Sequence, residues 1–302
     1  MSFKLDVPSK VSIVEVGPRD GLQNEKTPLS VSDKVKLIDA LSDTGLRRIE
    51  AGSFVSPKWV PQMANSHEVL TKIKRKTGVV YSALTPNSRG FEDAISADAD
   101  EVAVFGAASE SFSQKNINCS IAESIDRFIP LIQAATSKGI PVRAYVSCIL
   151  GCPYEGEIDA EAVLDISKTL LDLGCYEVSL GDTIGVGTPL KTQKLLNLLI
   201  SQLPVEKLAM HMHDTYGQAL ANVLIGLQNG VQCFDSSVAG LGGCPYAQGA
   251  SGNLASEDLV YMLSNMHIET GIDLNKLINV GHDISVRLDR ANGSKVGKAL
   301  KA

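Results

Sequence analysis

The chain has 302 residues, 44% of them hydrophobic and 21% charged, and a formal net charge of −6. That length holds one large α/β domain or two ordinary ones, and the composition is that of a soluble globular protein. The negative balance argues against a general nucleic-acid or membrane-surface binder, and no apolar run approaches the length of a membrane span. Residues Met1 to Lys10 lack the apolar core of a signal peptide and the Arg-rich pattern of a transit peptide, so a cytoplasmic protein is expected.

Taken in order, the chain alternates β-branched runs with amphipathic ones. Val11 to Val16 reads as a strand, and Val31 to Thr44 as a helix stopped by Gly45. Strands over Arg48–Glu50, Val79–Leu84 and Glu101–Phe105 precede helices over 62–76, 87–97 and 121–138. The pattern repeats with Val142–Cys148, Tyr176–Leu180, Leu208–His213 and Cys233–Val238, followed by helices over 159–173, 189–203, 215–229 and 257–266. Eight strand–helix units predict a closed parallel (β/α)₈ barrel, a TIM barrel, rather than an open doubly wound sheet. Two amphipathic stretches after Gly271 predict extra C-terminal helices capping the barrel. With no linker composition and no short-period repeat, residues 1–302 read as a single catalytic domain. The six cysteines, none in a Cys-x-x-Cys pair, are expected to be thiols.

The C-terminal ends of barrel strands carry the chemistry in this fold. Reading those positions gives Arg19, Asp20 and Gln23 after the first strand, Glu50 on the second, Asp182 on the sixth, and His211 and His213 on the seventh. A glycine-rich stretch with Cys244 follows the eighth and runs to Asn253. Side chains two apart on a strand share a face, so His211 and His213 are placed to hold one divalent metal. Two hydrogen-bonded histidines are the plain alternative for an isolated His-x-His, and the company at the other strand ends reverses that preference. Asp20 supplies a third, anionic ligand and Asn253 an amide oxygen. This set suits Mg²⁺ or Mn²⁺ and could hold Co²⁺ or Zn²⁺. Arg19 beside the metal is suited to an enolate or carboxylate oxygen, with Glu50 and Asp182 orienting it or relaying protons. Cys244 on a glycine-hinged loop is read as a catalytic thiol, acid or base. Gln23 is read as a substrate contact, and Lys115 and Asn116, in the loop after the fourth strand, as contacts for a CoA phosphate or pantetheine. His67, His267 and His282 receive no ligand role, and the basic run Lys72, Lys74, Arg75, Lys76 reads as a solvated helix end.

Longer motifs sharpen this reading. Gly17-Pro18-Arg19-Asp20-Gly21-Leu22-Gln23, the stretch from Ser53 to Met63, Phe105 to Glu110, Gly151-Cys152-Pro153-Tyr154, His211 to Gln218 and Val238 to Asn253 resemble the 3-hydroxy-3-methylglutaryl-CoA lyase family over nearly the whole chain. The resemblance implies metal-dependent retro-Claisen cleavage of 3-hydroxy-3-methylglutaryl-CoA to acetyl-CoA and acetoacetate, as in leucine catabolism and ketone-body formation. It implies metal ligation by Asp20, His211, His213 and Asn253, enolate stabilisation by Arg19, support from Glu50 and Asp182, and a catalytic thiol at Cys244. The ends differ from animal relatives: no transit segment, no cysteine near the C-terminus, and a final Lys301-Ala302, which fits a bacterial-type enzyme. An acyl-CoA substrate and a homodimer are expected, with neither nucleic acid nor membrane as partner. The alternatives are a Claisen-type synthase or another acyl-CoA lyase of the same barrel group, a metal hydrolase, and a non-catalytic acyl-CoA-binding barrel.

Overall fold

The structure, a computed structural model, describes residues 6–243 and 252–300. Its strands and helices alternate: β1 (Ser12–Glu15), α1 (Val31–Ser42), β2 (Arg48–Ser53), α2 (Ser66–Lys72), β3 (Val80–Leu84) and α3 (Ser88–Ser96). Next come β4 (Glu101–Ala107), α4 (Glu110–Ile117), α5 (Ile121–Ser137), β5 (Val142–Ser147), α6 (Ala160–Asp172), β6 (Glu177–Asp182) and α7 (Pro189–Gln202). The chain closes with β7 (Leu208–Met212), α8 (Ala219–Gln228), β8 (Cys233–Ser236), α9 (Ser256–Asn265), α10 (Leu274–Arg287) and α11 (Lys295–Ala299). The strands form a closed parallel barrel in sequence order, with β8 pairing back onto β1.

Local sequence accounts for most element boundaries. Ser30 and Ser120 each cap a helix reciprocally with Asp33 and Glu123, satisfying amide groups that the first turn leaves unpaired. Gly45 ends the turn after α1 at φ 101°, a conformation that favours glycine. The helix expected over 62–76 is instead a short turn, Pro61–Met63, followed by α2, because Pro61 can only start a helical turn. The one helix the pattern missed is α4, an eight-residue segment of polar composition. Lys115 and Asn116 therefore lie exposed on a helix, not in a loop.

The aliphatic core lies mainly between strands and helices, where Leu37, Ile49, Val102, Leu131, Val178 and Leu196 pack in one continuous cluster. The barrel lumen is different. Val14, Val16, Ala209 and Cys233 form a small apolar patch there, but charged side chains also reach across it. Arg143 on β5 bonds Asp235 on β8, and Arg48 on β2 bonds Glu177 on β6. Strands that are not neighbours can meet only through the lumen. The C-terminal helices join the outer layer: α10 packs on α1 and α9, and the N-terminus of α11 is tied to Asp258 through Ser294, Lys295 and Val296. No described helix is long and apolar enough to cross a membrane.

A Cβ on Gly45 would stand 2.2 Å from the Gly271 carbonyl oxygen, in a backbone conformation that side chains resist. Gly45→Ala is therefore expected to lower the unfolding free energy by about 1–3 kcal/mol, read as a lower urea midpoint with an unchanged slope.

Candidate active site

Four segments converge at the C-terminal end of the barrel. The first follows β1, where the amide of Gly21 reaches back to the carbonyl of Val16 to close one wide helical turn over Gly17–Gly21. That turn carries Arg19 and Asp20. It is anchored by the buried Glu15, whose Oε1 accepts the Gly17 N–H at 2.8 Å. A Cβ at position 17 would lie 2.5 Å from that oxygen, so the turn needs glycine there. The second segment is β2 with Glu50. The third is the end of β7, with His211 on the strand and His213 just past it. The fourth is the return segment before α9, where Asn253 bridges to His213 and Leu254 donates to the Met212 carbonyl at 3.0 Å.

The two imidazoles face each other, with His211 Nε2 3.2 Å from His213 Nε2 and 3.8 Å from Asp20 Oδ2. Two ligands bound about 2.1 Å from one cation at right angles stand about 3 Å apart, so this spacing fits adjacent metal ligands. Asp20, His211 and His213 are the group among the described residues that could hold a metal ion. Burial alone would raise the Asp20 carboxyl, but Arg19 and the two histidines bring it down to about 2. Burial and the neighbouring His211 bring His213 down to about 4. At neutral pH both groups are thus in the form that binds a cation. Burial lowers His211 less than its hydrogen bond to Asp235 and the charge of Asp20 raise it, so its net shift is upward. The Asn253 Nδ2 donates to Asp20 Oδ2 at 2.8 Å and to the Leu241 carbonyl at 3.1 Å. Presenting its oxygen to a metal would require the amide to turn over.

Arg19 is buried and held on three sides. Its Nε donates to Glu50 at 2.6 Å, its Nη1 donates to Asp20 at 2.7 Å, and its guanidinium lies 5.3 Å from the Tyr145 ring centre. This leaves Nη2 without an acceptor among the described residues. Gln23 donates to Asp20 Oδ1 at 3.0 Å, so it borders the same carboxylate. Asp182 does not orient Arg19. Its two oxygens accept the backbone N–H groups of Val186 and Gly187 at 3.1 and 2.8 Å, and burial pushes its carboxyl up to about 6. Lys115 and Asn116 sit on α4, which begins just beyond the C-terminal end of β4 and so on this face. Cys244 lies outside the described residues.

Sequence reading missed the residues beneath the site. The Tyr145 ring contacts both Arg19 and Arg143, whose guanidinium is 5.0 Å from its ring centre, and it meets His211 edge-on. Asp235 accepts from His211 Nδ1 at 3.2 Å. The signal was available as charged residues inside apolar strands, at alternate positions shared with the strand-end histidines. Two further buried carboxylates hold the segment after β8. Glu15 accepts the Val238 N–H at 2.9 Å, and Glu257 accepts the N–H of Ala239, a non-glycine residue at φ 56°.

Comparisons with known proteins cover nearly the whole chain. The HMGL-like family model matches residues 10–284. The chain is 56% identical over 298 residues to a Pseudomonas aeruginosa 3-hydroxy-3-isohexenylglutaryl-CoA/hydroxy-methylglutaryl-CoA lyase, covering 99% of each. It is 60% identical to the mitochondrial hydroxymethylglutaryl-CoA lyase of Bos taurus, over 97% of this chain and 90% of that one. The crystal structure of the hydroxymethylglutaryl-CoA lyase from Pseudomonas aeruginosa superposes with a TM-score of 0.96 at 57% identity, covering 98% of each chain. An Acinetobacter HMG-CoA lyase solved with coenzyme A and 3-methylmalate gives a TM-score of 0.93 at 36% identity, covering 97% of this chain and 96% of that one. These relatives correct the expectation of a cytoplasmic protein, because vertebrate proteins matching nearly the whole chain are mitochondrial. That expectation rests on the pattern of Met1 to Lys10 alone, which does not decide the compartment.

The buried carboxylates give the fold a pH dependence. Burial raises Glu257 from an ordinary 4.5 to about 8, and Glu15 to about 7. Between those limits the folded state binds protons that the unfolded chain has released. The stability from this source is full below pH 4.5 and is lost as pH rises toward 8. Glu257→Gln is expected to flatten the decline in unfolding free energy between pH 5 and 8, measured by denaturant titration at several pH values. A slope identical to that of the parent protein would contradict the assignment.

Proposed function

The chain belongs to the 3-hydroxy-3-methylglutaryl-CoA lyase family, and on that premise we propose how its residues carry out the reaction. It is a carbon–carbon lyase that cleaves 3-hydroxy-3-methylglutaryl-CoA to acetyl-CoA and acetoacetate. The observation that carries the mechanism is the apposition of His211 Nε2, His213 Nε2 and Asp20 with a guanidinium already bonded to Asp20. His211, His213 and Asp20 would hold a divalent cation, Mg²⁺ or Mn²⁺ before Co²⁺ or Zn²⁺, with Asn253 as a fourth ligand once its amide turns. When bound, the cation supplies Lewis-acid charge for substrate oxygens and lowers the pKa of a coordinated hydroxyl.

The residues divide the remaining work. The C3 hydroxyl proton must leave as the C2–C3 bond breaks, so that the oxygen's electrons form the ketone of acetoacetate. Asp182 is the proposed relay for that proton, a carboxyl at the end of β6 that burial raises to about 6. The electrons of the broken bond pass into the thioester as an enolate. Arg19 offers Nη2 to that oxygen, and Glu50 fixes the guanidinium plane so that no reorientation is needed as charge develops. Cys244, placed by its sequence position only, is proposed to return a proton to C2, directly or through a water. Gln23 borders the substrate, and Lys115 and Asn116 on α4 would meet the CoA portion.

The purified protein is expected to release acetyl-CoA and acetoacetate in equal amounts, to lose activity on chelation and to regain it with Mg²⁺ or Mn²⁺. Condensation of acetyl-CoA with a 2-oxo acid would favour the synthase reading instead. Arg19→Lys keeps the charge but loses the planar fork, and it is expected to reduce kcat on the order of 10²–10³-fold with little change in KM. A rise in KM alone would make Arg19 a binding residue.

A further inference from the structure

We infer that Asp235 is a positioning residue that sets the tautomer and orientation of His211, so that Nε2 rather than Nδ1 is presented to the metal. The inference rests on the metal site proposed above. Asp235 on β8 is the register partner of His211 on β7, so the two side chains leave neighbouring strands at the same level. Its Oδ2 lies 3.2 Å from His211 Nδ1. The carboxylate is itself fixed from the far side of the lumen. Arg143 on β5 grips it with Nη1 at 3.1 Å and Nη2 at 2.8 Å, and the Ser179 hydroxyl on β6 donates to it at 2.7 Å. Four strands thus meet at one buried carboxylate. A carboxylate in that position accepts the Nδ1 proton and leaves the Nε2 lone pair pointing at His213 and Asp20, which also raises the basicity of the ligating nitrogen.

The two histidines are not equivalent in this respect. His213 Nδ1 is buried and has no hydrogen-bond partner among the described residues. His211 is the braced member of the pair, and the segment of His213 is held through its backbone bridge with Asn253. A fold that needed only a filled lumen could use aliphatic side chains here, as it does at Val14, Val16 and Ala209. Buried ion pairs are often no more stable than apolar packing of the same volume. The polar stack under His211 therefore has a role beyond filling space.

The test is Mn²⁺ titration of the metal-stripped protein, followed by the free-ion EPR signal, alongside unfolding midpoints. Asp235→Asn is expected to weaken Mn²⁺ binding on the order of 10–100-fold, and Ser179→Ala to weaken it in the same direction by less. A folded Asp235→Asn protein with parental affinity, beside a His211→Ala protein that has lost Mn²⁺, would overturn the role of Asp235 alone. A His211→Ala protein that still bound Mn²⁺ as the parent does would overturn the metal site and this inference together. Should Asp235→Asn fail to fold, long-range ¹H–¹⁵N spectra of the parent imidazoles decide. A neutral His211 protonated at Nδ1 supports the inference, and protonation at Nε2 overturns it.

Discussion

Arg143 spans the lumen of a closed barrel and is buried there, so its charge and donors must be met by groups inside the protein. Glu177 takes its Nε at 2.6 Å and Asp235 takes both terminal nitrogens. Arg48 enters the same network from β2 through Glu177. Leaving one of these charges unpaired would cost several kcal/mol, roughly the margin by which a domain is stable. The network therefore locks the relative positions of β2, β5, β6 and β8. Tyr145 and Arg19 stand above it, and His211 is bonded to its Asp235. The precision of the catalytic face derives from charge satisfaction inside the barrel as much as from the aliphatic layer outside it.

The same logic continues upward. Glu50 is buried and raised by desolvation, and the Arg19 guanidinium pulls against that rise. Asp20 is pinned by Arg19, Gln23 and Asn253 before any ligand arrives. Such bonds hold the charged groups where a developing enolate would need them, so little reorganisation remains for the reaction itself. Arg19 spends two of its three nitrogens on protein carboxylates and keeps the third. A side chain with a single ammonium could not divide its donors this way.

Much of this was legible in the sequence, for definite physical reasons. Alternating strand and helix periods announced eight βα units. Parallel closure then puts every strand end on one face, so Asp20, Glu50, Asp182, His211 and His213 could be grouped without coordinates. The partners of those residues were harder to read. Arg143, Tyr145 and Asp235 lie inside strands, and their pairing depends on which strands oppose each other across the lumen, a property of closure and not of any single segment. The orientation of the Asn253 amide, held by the Asp20 carboxylate and the Leu241 carbonyl, and the commitment of Asp182 to backbone N–H groups of the loop after β6 likewise have no sequence signature. Helix α4 escaped notice because eight mostly polar residues give almost no apolar period. The same weak period places Lys115 and Asn116 in a loop, whereas they lie on α4.

One cation is expected to bind where His211, His213 and Asp20 meet, beside Arg19. Anomalous diffraction from crystals grown with Mn²⁺ tests it most directly. One strong peak is expected within bonding distance of both Nε2 atoms and an Asp20 oxygen, with the Asn253 oxygen turned toward it. A peak bound elsewhere, or Mn²⁺ held through either Nδ1, would contradict it.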